Sequence, residues 1–170
     1  MDEFELTFLP KKLPEGIFTS PSKEMLAIYI PAASEHPTLR IRRSGTKHEM
    51  TKKEPVSAGD SSHQRETTVP LTVEEFSDLT VVPGKRVSKI RYFYLENGVD
   101  YEVDVFQGEL EGLVLIDVEF KSTGDKAKFK APEWILIEVT QEKFIAGGML
   151  CGKKYSDIED RLKLFGYKKL

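Results

Sequence analysis

The chain has 170 residues, 39% of them hydrophobic and 31% charged, with ten Phe, six Tyr and one Trp. That is enough apolar mass for one ordinary domain over 1–170 whose core needs no disulfide or metal, and too aromatic for a disordered chain. With 25 basic against 28 acidic residues the formal charge is −3, so no overall field draws the protein to nucleic acid or to an anionic membrane. The single cysteine, Cys151, rules out an internal disulfide, and no apolar run nears the roughly 18 residues of a membrane span. The opening MDEFELTF lacks the basic and apolar segments of a secretory signal, so the expected address is the cytoplasm.

In chain order, polar and apolar residues alternate over 3–9, 39–43, 49–53, 86–93, 99–106 and 113–120, the period of half-buried strands. The fold class is therefore mainly β (α+β). Gly45 and the polar stretch 57–62 read as loops. Thr72-Val73-Glu74-Glu75 reads as a capping box opening a short helix. Glu96-Asn97-Gly98 predicts a tight hairpin and 107–112 a longer turn, so the last three alternating runs form an antiparallel meander. Brief helices fit 124–129, ahead of Pro132, and 142–151. Ser156-Asp157-Ile158-Glu159 repeats the capping signature, with Ile158, Leu162 and Phe165 on one stripe of the helix that follows.

The polar faces of five strands carry charges of one sign two residues apart: Glu3/Glu5, Arg40/Arg42, Lys89/Arg91, Glu102/Asp104 and Asp117/Glu119. Side chains two apart on a strand share a face. For any one strand a solvated outer face is the simpler reading. Solvated faces interleave signs, however, whereas here each strand is a row of one sign, and like charges side by side repel. Basic rows suit a polyanion, arginine with forked hydrogen bonds and lysine as a point charge. Acidic rows suit a hard divalent cation such as Mg²⁺ or Mn²⁺. Both together describe a metal–polyphosphate site, and curling the sheet into a barrel places the rows inside with the apolar face outside, under the helices.

These residues resemble the CYTH superfamily, the triphosphate tunnel metalloenzymes, which includes inorganic tripolyphosphatases, thiamine triphosphatases and class IV adenylate cyclases. The likeness spans nearly the whole chain and is greatest to the small bacterial members. Glu3-Phe4-Glu5 resembles the opening strand, Leu39-Arg40-Ile41-Arg42 the first basic strand, and Met50-Thr51-Lys52-Lys53 the T-x-K strand after it. Lys89-Ile90-Arg91-Tyr92, the run from Glu102 through Asp104 to Gly108, Asp117-Val118-Glu119-Phe120 and Glu138-Val139-Thr140 follow in order. The order and spacing together carry the resemblance.

It implies an eight-stranded antiparallel β-barrel, a tunnel with a few covering helices, that hydrolyses a triphosphate, foremost inorganic tripolyphosphate, with Mg²⁺ or Mn²⁺. Arg40, Arg42, Lys53, Arg65, Lys89 and Arg91 would bind the substrate. Glu3, Glu5, Glu66, Glu102, Asp104, Asp117 and Glu119 would hold metal, and Glu3, Glu5, Lys53 and Arg91 would carry catalysis. The partner is a small-molecule triphosphate, with no nucleic acid or membrane, acting on a monomer or homodimer. Two departures stand out. Thr7 occupies the lysine position of the family's E-x-E-x-K, and Thr68 the last glutamate of its R-x-E-x-E, whose arginine position holds Gln64 beside Arg65. A lysine and a glutamate lost together suggest that Thr7 and Thr68 face each other across the tunnel. Adenylate cyclase, thiamine triphosphatase and a non-catalytic binder of polyphosphate or nucleotide are the rival readings, the last prompted by the two threonines.

Other motifs read as structural. His36, His48 and His63 lack ligand spacing and read as surface residues. Cys151 and Trp134 read as packing, and Gly147-Gly148 lacks the rest of a Walker loop.

Overall fold

The computed structural model describes residues 4–57 and 60–170 in full and the backbone of Asp2 and Glu3; two positions of the predicted 57–62 loop lie outside the described residues. The strands are β1 (Asp2–Pro10), β2 (Ser22–Ile30), β3 (Leu39–Ser44), β4 (Lys47–Pro55), β5 (His63–Leu71), β6 (Lys85–Glu96), β7 (Val99–Phe106), β8 (Val114–Phe120) and β9 (Ile135–Glu138). The helices are α1 (Val73–Leu79), α2 (Thr123–Lys128), α3 (Gly147–Leu150) and α4 (Tyr155–Leu164). Strands run β5-β4-β3-β2-β6-β7-β8-β1, and β1 returns to β5 through Asp2 opposite Arg65 and Phe4 opposite His63. Eight antiparallel strands thus close a barrel. The short β9 continues along the far half of β1, where Phe8 lies opposite Glu138.

All six alternating runs are strands, and the hairpin between β6 and β7 turns on Asn97 and Gly98, whose φ values of 52° and 76° suit a type I′ turn. β2 escapes a period-two reading because it is apolar on both faces: Met25, Ala27 and Tyr29 point inward and Ile28 outward, all buried. β5 escapes it for the opposite reason. Gln64 and Glu66 line the interior while the outward Arg65, Thr67 and Val69 are exposed, so both faces are polar.

The outer face carries two apolar layers. Ile28 and Ile41 pack under Phe76 of α1, while Phe8, Val103, Ile116 and Val118 pack with Ile17, Tyr101 and Trp134. The predicted capping box holds α1: Thr72 Oγ1 accepts from Glu75 N–H at 3.1 Å and Glu75 Oε2 accepts from Thr72 N–H at 2.8 Å. α4 is capped at Lys154, two positions before the predicted Ser156, because Asp157 Oδ2 accepts from Lys154 N–H at 2.8 Å.

Inside, the barrel divides along its axis. At one end the inward Leu9, Phe106 and Leu115 meet Phe144, Ile145 and Leu150 and, beyond them, Ile158 and Leu162 of α4. Each such buried side chain contributes about 1.5–3 kcal/mol. α3 seats against the barrel lip only because Gly147 and Gly148 lack Cβ atoms, which would lie 2.2 Å from Tyr29 Oη and 2.4 Å from the Pro37 carbonyl. That close approach is the role of the glycine pair. The rest of the interior is lined by charged and polar residues together with Met25, Ala27 and Tyr29 of β2.

Candidate functional site

The charged half of the barrel is a cavity of about 390 Å³. Alternation delivers the rows predicted from sequence to its wall: Arg40 and Arg42 from β3, Lys53 from β4, Lys89 and Arg91 from β6, Glu102 and Asp104 from β7, and Asp117 and Glu119 from β8. Glu5 from β1 and Glu66 from β5 join them. The side chain of Glu3, predicted both as a metal ligand and as catalytic, lies outside the described residues.

The rows interlock. Arg91 donates to Asp104 Oδ1 and Oδ2 at 2.7 and 2.6 Å, to Asp117 Oδ2 at 3.2 Å and to Glu102. Lys89 also donates to Asp104, Arg42 to Glu49, and Lys53 Nζ stands 3.6 Å from Glu5 Oε2. Asp104 is 1% exposed. Burial pushes its pKa up, but the charges of Arg91 and Lys89 and their hydrogen bonds outweigh burial and hold the carboxyl below its ordinary value. Burial and then the Arg91 charge push the Lys89 ammonium down, against the pull of Asp104 and Asp117.

Among the described residues one buried side-chain donor is left over. Arg40 Nη1 reaches Tyr29 Oη at 3.3 Å and Nη2 stands 3.7 Å from Glu66, but Nε is buried without a hydrogen-bond partner. Such orphans are uncommon in native interiors, and this one belongs to a cation. It fits an anionic ligand.

The carboxylates fit a hard divalent cation by donor chemistry, since every candidate ligand is an oxygen. They do not form a ready-made cage: among the described residues no three His, Cys, Asp or Glu converge at coordination distance. The Arg91 guanidinium stands between Glu102, Asp104 and Asp117 instead. Among the described residues seven carboxylates line the cavity against six cationic side chains. A triphosphate entering a cavity of that balance needs added cations beside it.

Three expectations need correction. Arg65, read as a substrate residue, is exposed and off the cavity wall, because its neighbours Gln64 and Glu66 take the inward positions and adjacent strand residues cannot share a face. Thr7 and Thr68 do not face each other. The register that pairs Phe4 with His63 carries them toward opposite ends of the barrel, where Thr7 donates to Asp117 Oδ1 at 2.9 Å and Thr68 donates to Glu66 Oε1 at 2.8 Å. His36 is not a plain surface residue but half-buried on the cavity wall, whereas His48 meets Phe76 at a tilt and His63 stacks on Phe4. Cys151 is buried, with Sγ against the Gly148 carbonyl at 3.0 Å, as a packing residue.

The sequence patterns give no site role to Tyr29, nor to Thr140 of the Glu138-Val139-Thr140 motif, and both line the cavity. Tyr29 lay hidden in the unbroken apolar run of β2. Its signal was a β-branched and aromatic segment bounded by Pro21 and Pro31.

A closed antiparallel barrel whose interior interlocks basic and acidic rows defines a polyanion-binding tunnel. Residues 5–143 match the family model described as the CYTH domain, and the chain belongs to the CYTH family. It is 36% identical over 146 residues to the inorganic triphosphatase of Nitrosomonas europaea, which covers 84% of this chain and 92% of the relative. It is 35% identical over 74 residues to the inorganic triphosphatase of Acetivibrio thermocellus, or 44% of this chain and 46% of that one. The crystal structure of an inorganic triphosphatase superposes with a TM-score of 0.64 at 29% identity, covering 89% of this chain and 95% of the other.

Proposed function

We propose that this chain, as one domain over 1–170, is a divalent-metal-dependent hydrolase of a triphosphate, with inorganic triphosphate as its substrate and Mg²⁺ or Mn²⁺ as its metal. The single observation that carries this reading is the buried, partnerless Nε of Arg40 in a tunnel of paired charges. The relatives' names point the same way.

Inside the tunnel the arginines and lysines rest on carboxylates. When a triphosphate enters, Arg40, Arg42, Lys53, Lys89 and Arg91 give N–H donors to its oxygens, neutralising and aligning the chain. Arg91 thereby leaves the oxygens of Glu102, Asp104 and Asp117, which with Glu5, Glu66 and Glu119 are the residues that would hold the ion. A bound divalent cation supplies Lewis-acid polarisation of the phosphoryl group and acidifies water. The charged rows hold phosphoryl and attacking water in register, where positioning and electrostatics do most of the work of phosphoryl transfer. The enzyme works in the cytoplasm as a monomer or homodimer. The absence of a cysteine pair supports that compartment, and among the described residues no helix is long and apolar enough to cross a membrane.

The test is phosphate release from inorganic triphosphate, ATP and thiamine triphosphate, each with Mg²⁺, Mn²⁺ or a chelator. The expected outcome is turnover of inorganic triphosphate above the other two, lost on chelation. Metal-independent turnover contradicts the mechanism. Binding of triphosphate without turnover under any metal identifies a binder instead, and preference for ATP or thiamine triphosphate reassigns the substrate.

A further inference from the structure

Thr7 is 9% exposed on the cavity wall, directly opposite Asp117 across the β1–β8 ladder. Its backbone is fixed on both sides: the Thr7 N–H donates to Thr140 Oγ1 at 3.0 Å, and its carbonyl accepts from Val139 N–H at 2.8 Å. Its hydroxyl therefore has a set position, and it donates to Asp117 Oδ1 at 2.9 Å. The other oxygen of that carboxylate, Oδ2, accepts from Arg91 Nη2 at 3.2 Å.

The two contacts differ in kind. Arg91 shares its donors among three carboxylates, while Thr7 has its hydroxyl on Asp117 alone among the contacts described. A carboxylate turns readily about its Cβ–Cγ bond and presents an oxygen reliably only when something holds the other. We propose that Thr7 is a positioning residue: its hydroxyl fixes Asp117 Oδ1, so that Oδ2, now taken by Arg91, is presented to a hard divalent cation when Arg91 turns to phosphate. This inference rests on the proposed metal-dependent reading of the site. It gives Thr7 a role that a lysine at this position would fill with charge: a neutral donor orients the carboxylate without competing with the ion for it.

Groups that orient a ligand typically set metal affinity by 10–100-fold. Mn²⁺ titrated into the full chain in the presence of a saturating non-hydrolysable triphosphate analogue, which draws Arg91 off Asp117, and followed by electron paramagnetic resonance, reads this without turnover. Thr7→Val keeps the shape and removes the donor, and should weaken Mn²⁺ binding about tenfold. Thr7→Ser keeps the donor and should restore most of the affinity. In an Asp117→Asn background, Thr7→Val should add less than about a twofold further loss, because its effect passes through Asp117. Thermal unfolding of each variant separates these effects from misfolding, and Thr7→Ala takes the place of Thr7→Val should the latter fail to fold. Unchanged Mn²⁺ affinity in the hydroxyl-free variant overturns the inference. Equal losses in Thr7→Val and Thr7→Ser overturn it too, since packing of the methyl would then be the cause. Failure of the unaltered protein to bind Mn²⁺ in the presence of the analogue defeats the metal reading beneath it, an outcome distinct from either.

Discussion

Arg91→Ala is expected to lower the stability of the metal-free protein by about 3–5 kcal/mol, a fall in Tm of order 10 °C. The Arg91 side chain is 13% exposed and satisfies Glu102, Asp104 and Asp117 together. Without it those carboxylates repel one another, and only Lys89 remains on Asp104. Mn²⁺ should then stabilise the variant more than the parent, because an ion binds only the folded arrangement and supplies the missing charge. Acid should narrow the gap. The carboxyl of Asp104 is held below its ordinary value in the parent, so its contribution is present above the unfolded carboxylate pKa of about 3.9 and is lost as pH falls through the folded value. The variant has most of that contribution missing already, so the two stability curves should converge below about pH 4. Urea unfolding from acid to neutral pH, with and without Mn²⁺, measures all three effects. Equal stability of parent and variant would mean that these pairs contribute nothing to the fold.

Arg40→Ala should behave in the opposite way. Nε of Arg40 is buried without a partner and its remaining contacts are long, 3.3 Å to Tyr29 and 3.7 Å to Glu66. An unsatisfied buried donor costs about 1–3 kcal/mol, so removing it should leave the empty protein as stable as before or more so. Binding should suffer instead. Losing a desolvated guanidinium from beside a phosphate is expected to cost about 2–5 kcal/mol of affinity, and Arg40→Lys should recover little of it because lysine lacks the planar fork. Calorimetry with a non-hydrolysable triphosphate analogue, alongside thermal unfolding, checks both halves. A variant that binds the analogue normally would show that the orphan donor faces no ligand.

How much of this was legible in the sequence follows from where alternation survives. Arg40, Arg42, Lys89, Arg91, Glu102, Asp104, Asp117 and Glu119 could be placed on one surface because each flanks an apolar residue such as Ile41, Ile90 or Val103, so period two named their common face. Where both faces share a polarity the rule is silent. That hid Tyr29 in β2, and in β5 it left Arg65 to be placed by likeness, on the wrong face. The partnership of Thr7 with Thr68 failed for a different reason. Charge conservation says that two positions compensate, not that they touch, and contact depends on the β1–β5 register, which no local pattern encodes. The sharing of Arg91 among Glu102, Asp104 and Asp117 is also invisible in the sequence, because it needs three strands side by side.

In the proposed mechanism the ion pairs inside the tunnel give way to a triphosphate and a divalent cation. Anomalous diffraction from crystals grown with Mn²⁺ and a non-hydrolysable triphosphate analogue tests it most directly. Mn²⁺ scattering is expected among the oxygens of Asp104, Asp117 and their neighbours, with Arg40 Nε and Arg91 turned onto phosphate oxygens. An analogue bound outside the barrel, or Arg91 still on Asp104 with no Mn²⁺ in the tunnel, would contradict it.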